Sequence, residues 1–345
     1  MKILIIGGTK FLGPHLTRAA LARNHEVTHF NRGSSVPTES DVEWIQGDRR
    51  SDLVKLRGRK WDAVVDTCGY LPDVVRASAK VLTGAVERYV FISSQSAYAD
   101  VSQRGVNELA PLATLTDEQL QEAKSVEPYG ENYGKSYAGL KALCEQEVLE
   151  TMQQRAVTIR PGLIVGPDDP TDRFTYWVER VARGGEVLAP GNPAKKIQFI
   201  DVRDLAEWIV RIIEQQESGT YNASGQPGDL TMADLLNECQ RASKSDAVFT
   251  WASEEFLLKQ PVMAWSEMPL WLPEDAAPHL DGFMFINIDR ALSTGLTFRS
   301  LNETVIDTLN WYRAARRGTD LKAGISADRE KALLQKWHEE ENLST

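Results

Sequence analysis

"ILIIGGTKFLGPHL", residues 3–16, is the stretch on which the fold turns. A short apolar run stops at Gly7 and Gly8, and Gly13 follows where apolar residues begin to recur with helical spacing. The start of the chain, "MKILIIGGTKFLG", is apolar and basic enough to suggest a signal peptide. Its apolar part is short, however, and runs into glycines and a periodic helix, not into a small-residue cleavage site. It reads as strand, tight turn, helix. In an open parallel sheet that junction receives a dinucleotide, since small residues let the backbone turn tightly and the helix N-terminus faces the pyrophosphate. Gly7, Thr9, Lys10, Phe11, Leu12 and Gly13 are the candidate cofactor-binding residues of this loop.

Working outward, short Val-, Ile- and Phe-rich runs alternate with helical patterns through the first two-thirds of the chain. Candidate strands lie at 2–6, 26–30, 42–46, 62–66, 88–93 and 156–160, with later ones at 197–200 and 220–223. Nearly continuous apolar runs are expected of strands covered on both faces. Residues 14–23 and 137–152 show helical spacing. The expectation is an α/β fold, a Rossmann-type doubly wound parallel sheet with a smaller, mixed C-terminal part. The core would span 1–165 with 195–225 returning to it. Residues 166–194 and 226–325 would form a substrate-binding part, and 326–345 a C-terminal helix. Helices are also expected after Gly225, over "LTMADLLNECQRAS", at 302–315, and at 326–341 behind the capping Ser326.

The chain has 345 residues, 42% apolar and 26% charged, with a formal charge of −10. That balance suits a globular protein with a substantial core and argues against a nucleic-acid surface, which needs clustered Lys and Arg. No apolar run reaches the roughly 18–20 residues of a membrane span. Three scattered cysteines, Cys68, Cys144 and Cys239, imply neither a disulfide framework nor a Cys-based metal site, so reducing cytoplasm is the simplest compartment. The five histidines show no ligand spacing, and no metal is expected. Asp168, Asp169 and Asp172 in "GPDDPTDRF" read as a turn.

From the loop onward the residues resemble the extended and atypical short-chain dehydrogenase/reductase family, of NAD-dependent epimerase/dehydratase type. Gly7 and Gly13 match the first and third glycines of its Gly-x-x-Gly-x-x-Gly loop, with Lys10 in the middle place. Lysine cannot adopt a glycine-only backbone conformation cheaply, so a slightly displaced loop with the ammonium near phosphate is expected. After the second strand, "FNRGSS" puts Asn31 where NAD-specific members carry a carboxylate, followed by Arg32, Ser34 and Ser35. An arginine with hydroxyls suits a 2′-phosphate, so the resemblance implies NADP, with NAD as the alternative. Asp48 in "QGDRR" resembles the residue that meets the adenine amino group.

The resemblance also implies the catalytic set. "FISSQSAYA" (91–99) places Ser94 at the family's Ser/Thr position, and "YAGLKALCE" supplies Tyr137, Lys141 and Glu145 as Tyr-x-x-x-Lys-x-x-x-Glu. Tyr137 would be the acid/base. Lys141 one turn on, with the positive nicotinamide, would lower its pKa and hold the ribose. Ser94 would bind the substrate oxygen. Tyr129 and Tyr133, at the same interval of four, are expected to pack or to line the pocket, and Glu145 to tune the helix surface. Sugar 4,6-dehydratases of the family need acids where Gln95 and Ser96 stand, which demotes dehydration. Phe174, Tyr176 and Trp177 are pocket candidates.

The implied activity is NADP(H)-dependent hydride transfer at a hydroxyl or ketone carbon of a small molecule, as a reductase or an epimerase. The alternative is a non-catalytic nucleotide- or RNA-binding protein that keeps the fold, because "GGTKFLG" also resembles plastid stem-loop RNA-binding members of the atypical group. Members often dimerise through the Tyr-x-x-x-Lys helix and the one before it, so a homodimer is an implied partner.

Overall fold

The computed structural model describes every residue except 34–40, 127–132, 229, 274–277, 317 and 345. Ser34, Ser35 and Tyr129 therefore lie outside the described residues. The strands are β1 (Lys2–Ile6), β2 (Glu26–Asn31), β3 (Val42–Gln46), β4 (Trp61–Asp66), β5 (Val86–Ile92), β6 (Ala156–Pro161) and β7 (Leu163–Val165). After them come β8 (Glu186–Pro190), β9 (Lys196–Ile197), β10 (Phe199–Asp201), β11 (Gly219–Ala223), β12 (Leu230–Thr231) and β13 (Val248–Ala252). The helices are α1 (Leu12–Ala22), α2 (Pro72–Leu82), α3 (Asp117–Lys124), α4 (Tyr137–Met152), α5 (Arg173–Ala182) and α6 (Val202–Glu214). The last five are α7 (Met232–Ser243), α8 (Glu254–Lys259), α9 (Asp289–Ser293), α10 (Leu301–Ala315) and α11 (Ala327–Ser344).

Seven strands form one parallel sheet in the order β11-β6-β5-β4-β1-β2-β3. Successive residues of a strand point to opposite faces, and here both faces are covered. Ile3 and Ile5 pack on one side against α1 and α6; Leu4 and Ile6 pack on the other against α2 and α4. This double burial is why β1 reads as an unbroken apolar run. β3 departs from that expectation. As the edge strand it is mostly exposed, and Trp44 keeps 37% of its surface.

The strand order reverses at β1, so the crevice at its C-terminal end is where such sheets bind ligands. The 197–200 run does not join the main sheet. It divides into β9, which pairs antiparallel with β12, and β10, which pairs parallel with β7. A separate apolar core gathers Phe174, Trp177, Leu188, Leu235, Trp271, Leu309 and Leu334, from α5, β8, α7, α10, α11 and the segment around Trp271. Of the aromatic pocket candidates, Phe174, Tyr176 and Trp177 are all buried in this core. Burial explains them fully.

Candidate active site

The phosphate loop is shaped by glycines that no other residue could replace. Gly7 and Gly8 have φ of +93° and +81°. A Cβ on Gly13 would sit 2.2 Å from the Gly8 carbonyl carbon, so α1 can approach the turn only because position 13 lacks a side chain. The strained residue of the loop is Phe11, at φ +44°; Lys10, in the family's middle-glycine place, is not among the positive-φ residues. The expected cost at Lys10 is therefore absent, and its side chain is exposed. α1 begins with no side-chain cap and no acidic residue in its first turn. Its positive dipole end suits an anion such as a pyrophosphate, while of the first-turn positions Gly13 N–H donates to Lys10 O at 3.0 Å and Pro14 carries no N–H.

At the other end of the crevice mouth, Asn31 braces two loops. Its amide donates to the Gly7 carbonyl at 3.2 Å and accepts from Gly33 N–H at 2.9 Å and Trp44 Nε1 at 3.2 Å. Arg32 is exposed, and its guanidinium makes no hydrogen bond or ion pair among the described residues. Asp48 closes the turn after β3, accepting from Arg50 N–H at 2.9 Å.

The catalytic candidates come from β5 and α4. α4 starts at Tyr137 itself, so Tyr133 lies outside the helix that carries Tyr137. Tyr133 precedes a short 3-10 turn, is buried, and stands 6.1 Å from the Tyr70 ring. Tyr137 and Ser94 are both half-buried and face one another, the Ser94 hydroxyl within hydrogen-bonding reach of the phenol. Ser94 Oγ also accepts from Ser96 N–H at 3.1 Å, which fixes its direction.

Lys141 is placed differently from expectation. It is only 3% exposed, and its ammonium donates to Ile92 O at 2.6 Å and Gly69 O at 3.0 Å, tying α4 to the ends of β5 and β4. Burial pushes its pKa down. Burial likewise pushes the Tyr137 phenol up, the Ser94 hydrogen bond working against it. The protein alone therefore does not lower the phenol's pKa through Lys141. A cofactor cation would have to supply that effect.

Glu145 corrects a second expectation, since it does not lie on the helix surface. It is buried, accepts from the Ser93 hydroxyl, and forms an ion pair with Arg160 at 2.7 Å. Arg160 in turn lies over the Tyr98 ring and donates to Glu108 O. Sequence reading also missed Arg49, beside Asp48. Arg49 makes a two-pronged pair with the fully buried Asp66, both bonds 2.7 Å, and donates to Ser78 at 3.0 Å. Tyr89 donates to the same carboxylate at 2.8 Å. Burial works against ionisation of Asp66, yet Arg49 holds its carboxyl below the usual range. Nothing in "QGDRR" says which arginine turns inward.

The three aspartates of "GPDDPTDRF" do not converge. Asp168 pairs with His15 at 3.2 Å, Asp172 binds Arg316, and Asp169 accepts from the Thr171 N–H. Asp168 and Asp172 have φ of +70° and +61°, a tightly turned backbone. Among the described residues no group of three or more His, Cys, Asp or Glu could hold a metal ion, and no helix is long and apolar enough to cross a membrane.

Residues 3–224 match the NAD dependent epimerase/dehydratase family. The chain belongs to that family. Epimerase/dehydratase members are NAD(P)-dependent enzymes of oxidoreductase chemistry, and the chain has their Rossmann-type sheet. Among characterised relatives, the chain is 29% identical over 259 residues to the 2-alkyl-3-oxoalkanoate reductase of Stenotrophomonas maltophilia, covering 69% of this chain and 74% of that protein. It is 26% identical over 260 residues to the chloroplast stem-loop binding protein of 41 kDa b from Arabidopsis thaliana. That match takes in 70% of this chain and 63% of the plant protein's length. Among solved structures, the UDP-glucuronic acid 4-epimerase of Bacillus cereus in complex with NAD superposes with a TM-score of 0.64 at 15% identity, over 94% of this chain and all of that one. The human epimerase family protein SDR39U1 with NADPH gives 0.60 at 18% identity, over 90% and 99% of the two chains. At such identities these structures share the fold alone, and both kinds of nicotinamide cofactor occur among them.

Proposed function

We propose that this chain is an NADP(H)-dependent reductase acting on a ketone of a small molecule in the cleft between Ser94 and Tyr137. The observation that carries the reading is the meeting of the Ser94 hydroxyl and the Tyr137 phenol, half-buried, at the C-terminal edge of the sheet. Bound NADPH would supply the hydride. Ser94 hydrogen-bonds the substrate oxygen, and Tyr137 gives it a proton as the carbonyl becomes an alcohol. Lys141 fixes the spacing of α4 against β5 and β4 from inside the core, and its ammonium adds positive charge beneath the crevice. Gly7, Thr9, Lys10, Phe11, Leu12 and Gly13 would cradle the pyrophosphate with the N-terminus of α1. Arg32 would meet the 2′-phosphate, Asn31 holding the two loops in register, and Asp48 would reach the adenine.

Reductase is preferred to epimerase because the relative that shares 29% identity over most of its length is a 3-oxoalkanoate reductase. The likeness to a stem-loop binding protein supports RNA binding as a second reading, which the charge of −10 opposes. Residues 1–165 with 195–225 would serve the cofactor, and 166–194 with 226–325 the substrate.

The test is calorimetric titration with NADPH and NADH, followed by NADPH oxidation with a 2-alkyl-3-oxoalkanoate. Arg32→Ala should weaken NADPH about tenfold or more and leave NADH within about twofold. Tyr137→Phe should keep NADPH affinity and lower kcat by about 10²- to 10⁴-fold. Absence of nucleotide binding, or full turnover in Tyr137→Phe, would sink the proposal. Substrate racemised without net NADPH consumption would convert it to an epimerase.

A further inference from the structure

The ammonium of Lys141 is buried without a carboxylate of its own. It is 3% exposed and makes no ion pair among the described residues. The titratable groups that face it are Cys144 and Glu145 on α4 and Asp66 and Cys68 at the end of β4. Each is engaged elsewhere or neutral. Asp66 is matched by Arg49 and Glu145 by Arg160, and burial pushes both thiols up, Cys144 to about 12. A buried charge without a counterion is costly unless other groups replace its water. Two backbone carbonyls, Ile92 O and Gly69 O, take two of its three donors.

Two aromatic rings supply the rest. The Phe91 ring centre lies 4.5 Å from Lys141 Nζ and the Tyr70 ring centre 5.2 Å. Both are within reach of a cation–π attraction, which is worth most where the charge is desolvated. Phe91 comes from β5 and Tyr70 from just past β4. Gly69, whose carbonyl binds Lys141, has no room for a side chain, since a Cβ there would stand 2.5 Å from the Phe91 ring. Phe91 is fully buried in the core that α2 and α4 form with the sheet, and packing accounts for it. Tyr70 is only half-buried. It packs in one apolar cluster with Tyr133, Leu140 and Tyr137, and Tyr137 is the phenol that meets Ser94. Tyr70 therefore adjoins both members of the Tyr-x-x-x-Lys pair.

We propose that Tyr70 is a positioning residue of the active site, forming with Phe91 an aromatic cage that holds the Lys141 ammonium one helical turn from Tyr137. Without the Tyr70 ring the ammonium loses part of what replaces its water, and it sheds its proton more readily or turns away. Either change removes positive charge from beside the Tyr137 phenol. The inference rests on Tyr137 being the acid/base of the proposed reductase. It names what keeps the neighbouring cation in place.

The full chain is prepared with lysine carrying carbon-13 at Cε, and the Lys141 NMR signal is the one missing from Lys141→Met. The rings should hold its attached protons upfield of the other lysines. Tyr70→Leu should move them back toward the ordinary lysine position and lower the pH at which the signal titrates. Tyr70→Phe keeps the ring and should change neither. Tyr70→Met serves if the leucine variant does not fold. With NADPH and a 2-alkyl-3-oxoalkanoate, Tyr70→Leu should lower kcat about tenfold and Tyr70→Phe by less than about threefold. Both should keep NADPH affinity within about threefold. In the reverse direction, with NADP+ and the alcohol, the limb on which the rate rises with pH should move to higher pH in Tyr70→Leu alone. A ring that only packs would lower the rate without moving that limb, and such a result overturns the proposal. So does an unchanged Lys141 signal in Tyr70→Leu, or an equal loss of kcat in Tyr70→Phe. The NMR measurement needs no substrate, so it decides on the cage whether or not the oxoalkanoate is reduced. The two readings fail separately. Lost reduction in Tyr137→Phe with an unchanged Lys141 signal in Tyr70→Leu defeats only this inference. Full turnover in Tyr137→Phe with the Lys141 signal displaced in Tyr70→Leu defeats only the catalytic reading.

Discussion

Two pairs of arginines, Arg49 with Arg160 and Arg32 with Arg173, differ in their partners. Arg49 and Arg160 are enclosed, each matched to a buried carboxylate at 2.7 Å and to further acceptors. Arg32 and Arg173 have no described hydrogen bond or ion pair, although one is exposed and the other half-buried. A matched buried pair acts on stability, because removing one member strands the other's charge. A cation with no such partner among the described residues contributes little to stability. Sequence shows eight-letter neighbourhoods; it does not show which role an arginine takes.

Breaking the enclosed group should have the largest effect. Arg49→Met leaves Asp66 charged in the core and should cost about 3–5 kcal/mol in urea unfolding. Arg49→Met with Asp66→Leu should recover much of that loss, and a double variant no better than the single one would refute the pairing account. The sign with pH follows from Asp66. Its carboxyl is held below the usual range, so its contribution is present above the ordinary carboxylate pKa and is lost as pH falls through the depressed value.

Asp169 has the opposite sign and a smaller effect. It is 1% exposed, and burial pushes its carboxyl up to about 6, against hydrogen bonds from Thr171. The folded chain thus holds this proton more tightly than the unfolded chain, and stability falls as pH rises from the ordinary range through about 6. Asp169→Asn, which can keep the Thr171 bonds, should gain about 1–3 kcal/mol at pH 8 and little at pH 4. Equal gain at both values would show that burial of the charge is not the cause. The smallest effect belongs to Arg32. Arg32→Ala should change stability by less than about 0.5 kcal/mol in the same unfolding measurement, whatever it does to cofactor affinity. A larger loss would move Arg32 into the structural group.

Much of this was readable because it depends on neighbours in the chain. β1, the glycine turn and α1 follow from residues 2–22, and α4 from the spacing of 137–152. The 197–200 run was harder. Its residues suit a strand, but Gln198 donates to the carbonyls of Gly225 and Ile286, and the short strands on either side pair with different partners. The Tyr-x-x-x-Lys spacing located Tyr137 and Lys141 without saying that only the tyrosine faces the cleft. Positions four apart on a helix sit one above the other, but a long lysine chain can turn into the core when carbonyls such as Ile92 and Gly69 await it.

The sequence by itself determined the strand–loop–helix opening, the parallel sheet that repeats it and the place of the Ser94 and Tyr137 segments, since local sterics and periodicity dictate these. Tertiary structure alone decided that Glu145 goes inward to Arg160, that Arg49 closes on Asp66, and that the Arg173 guanidinium stacks over Trp265. Those outcomes depend on desolvation and on partners brought together from distant parts of the chain. Burial and pairing are properties of the assembled interior, and no local spacing encodes them.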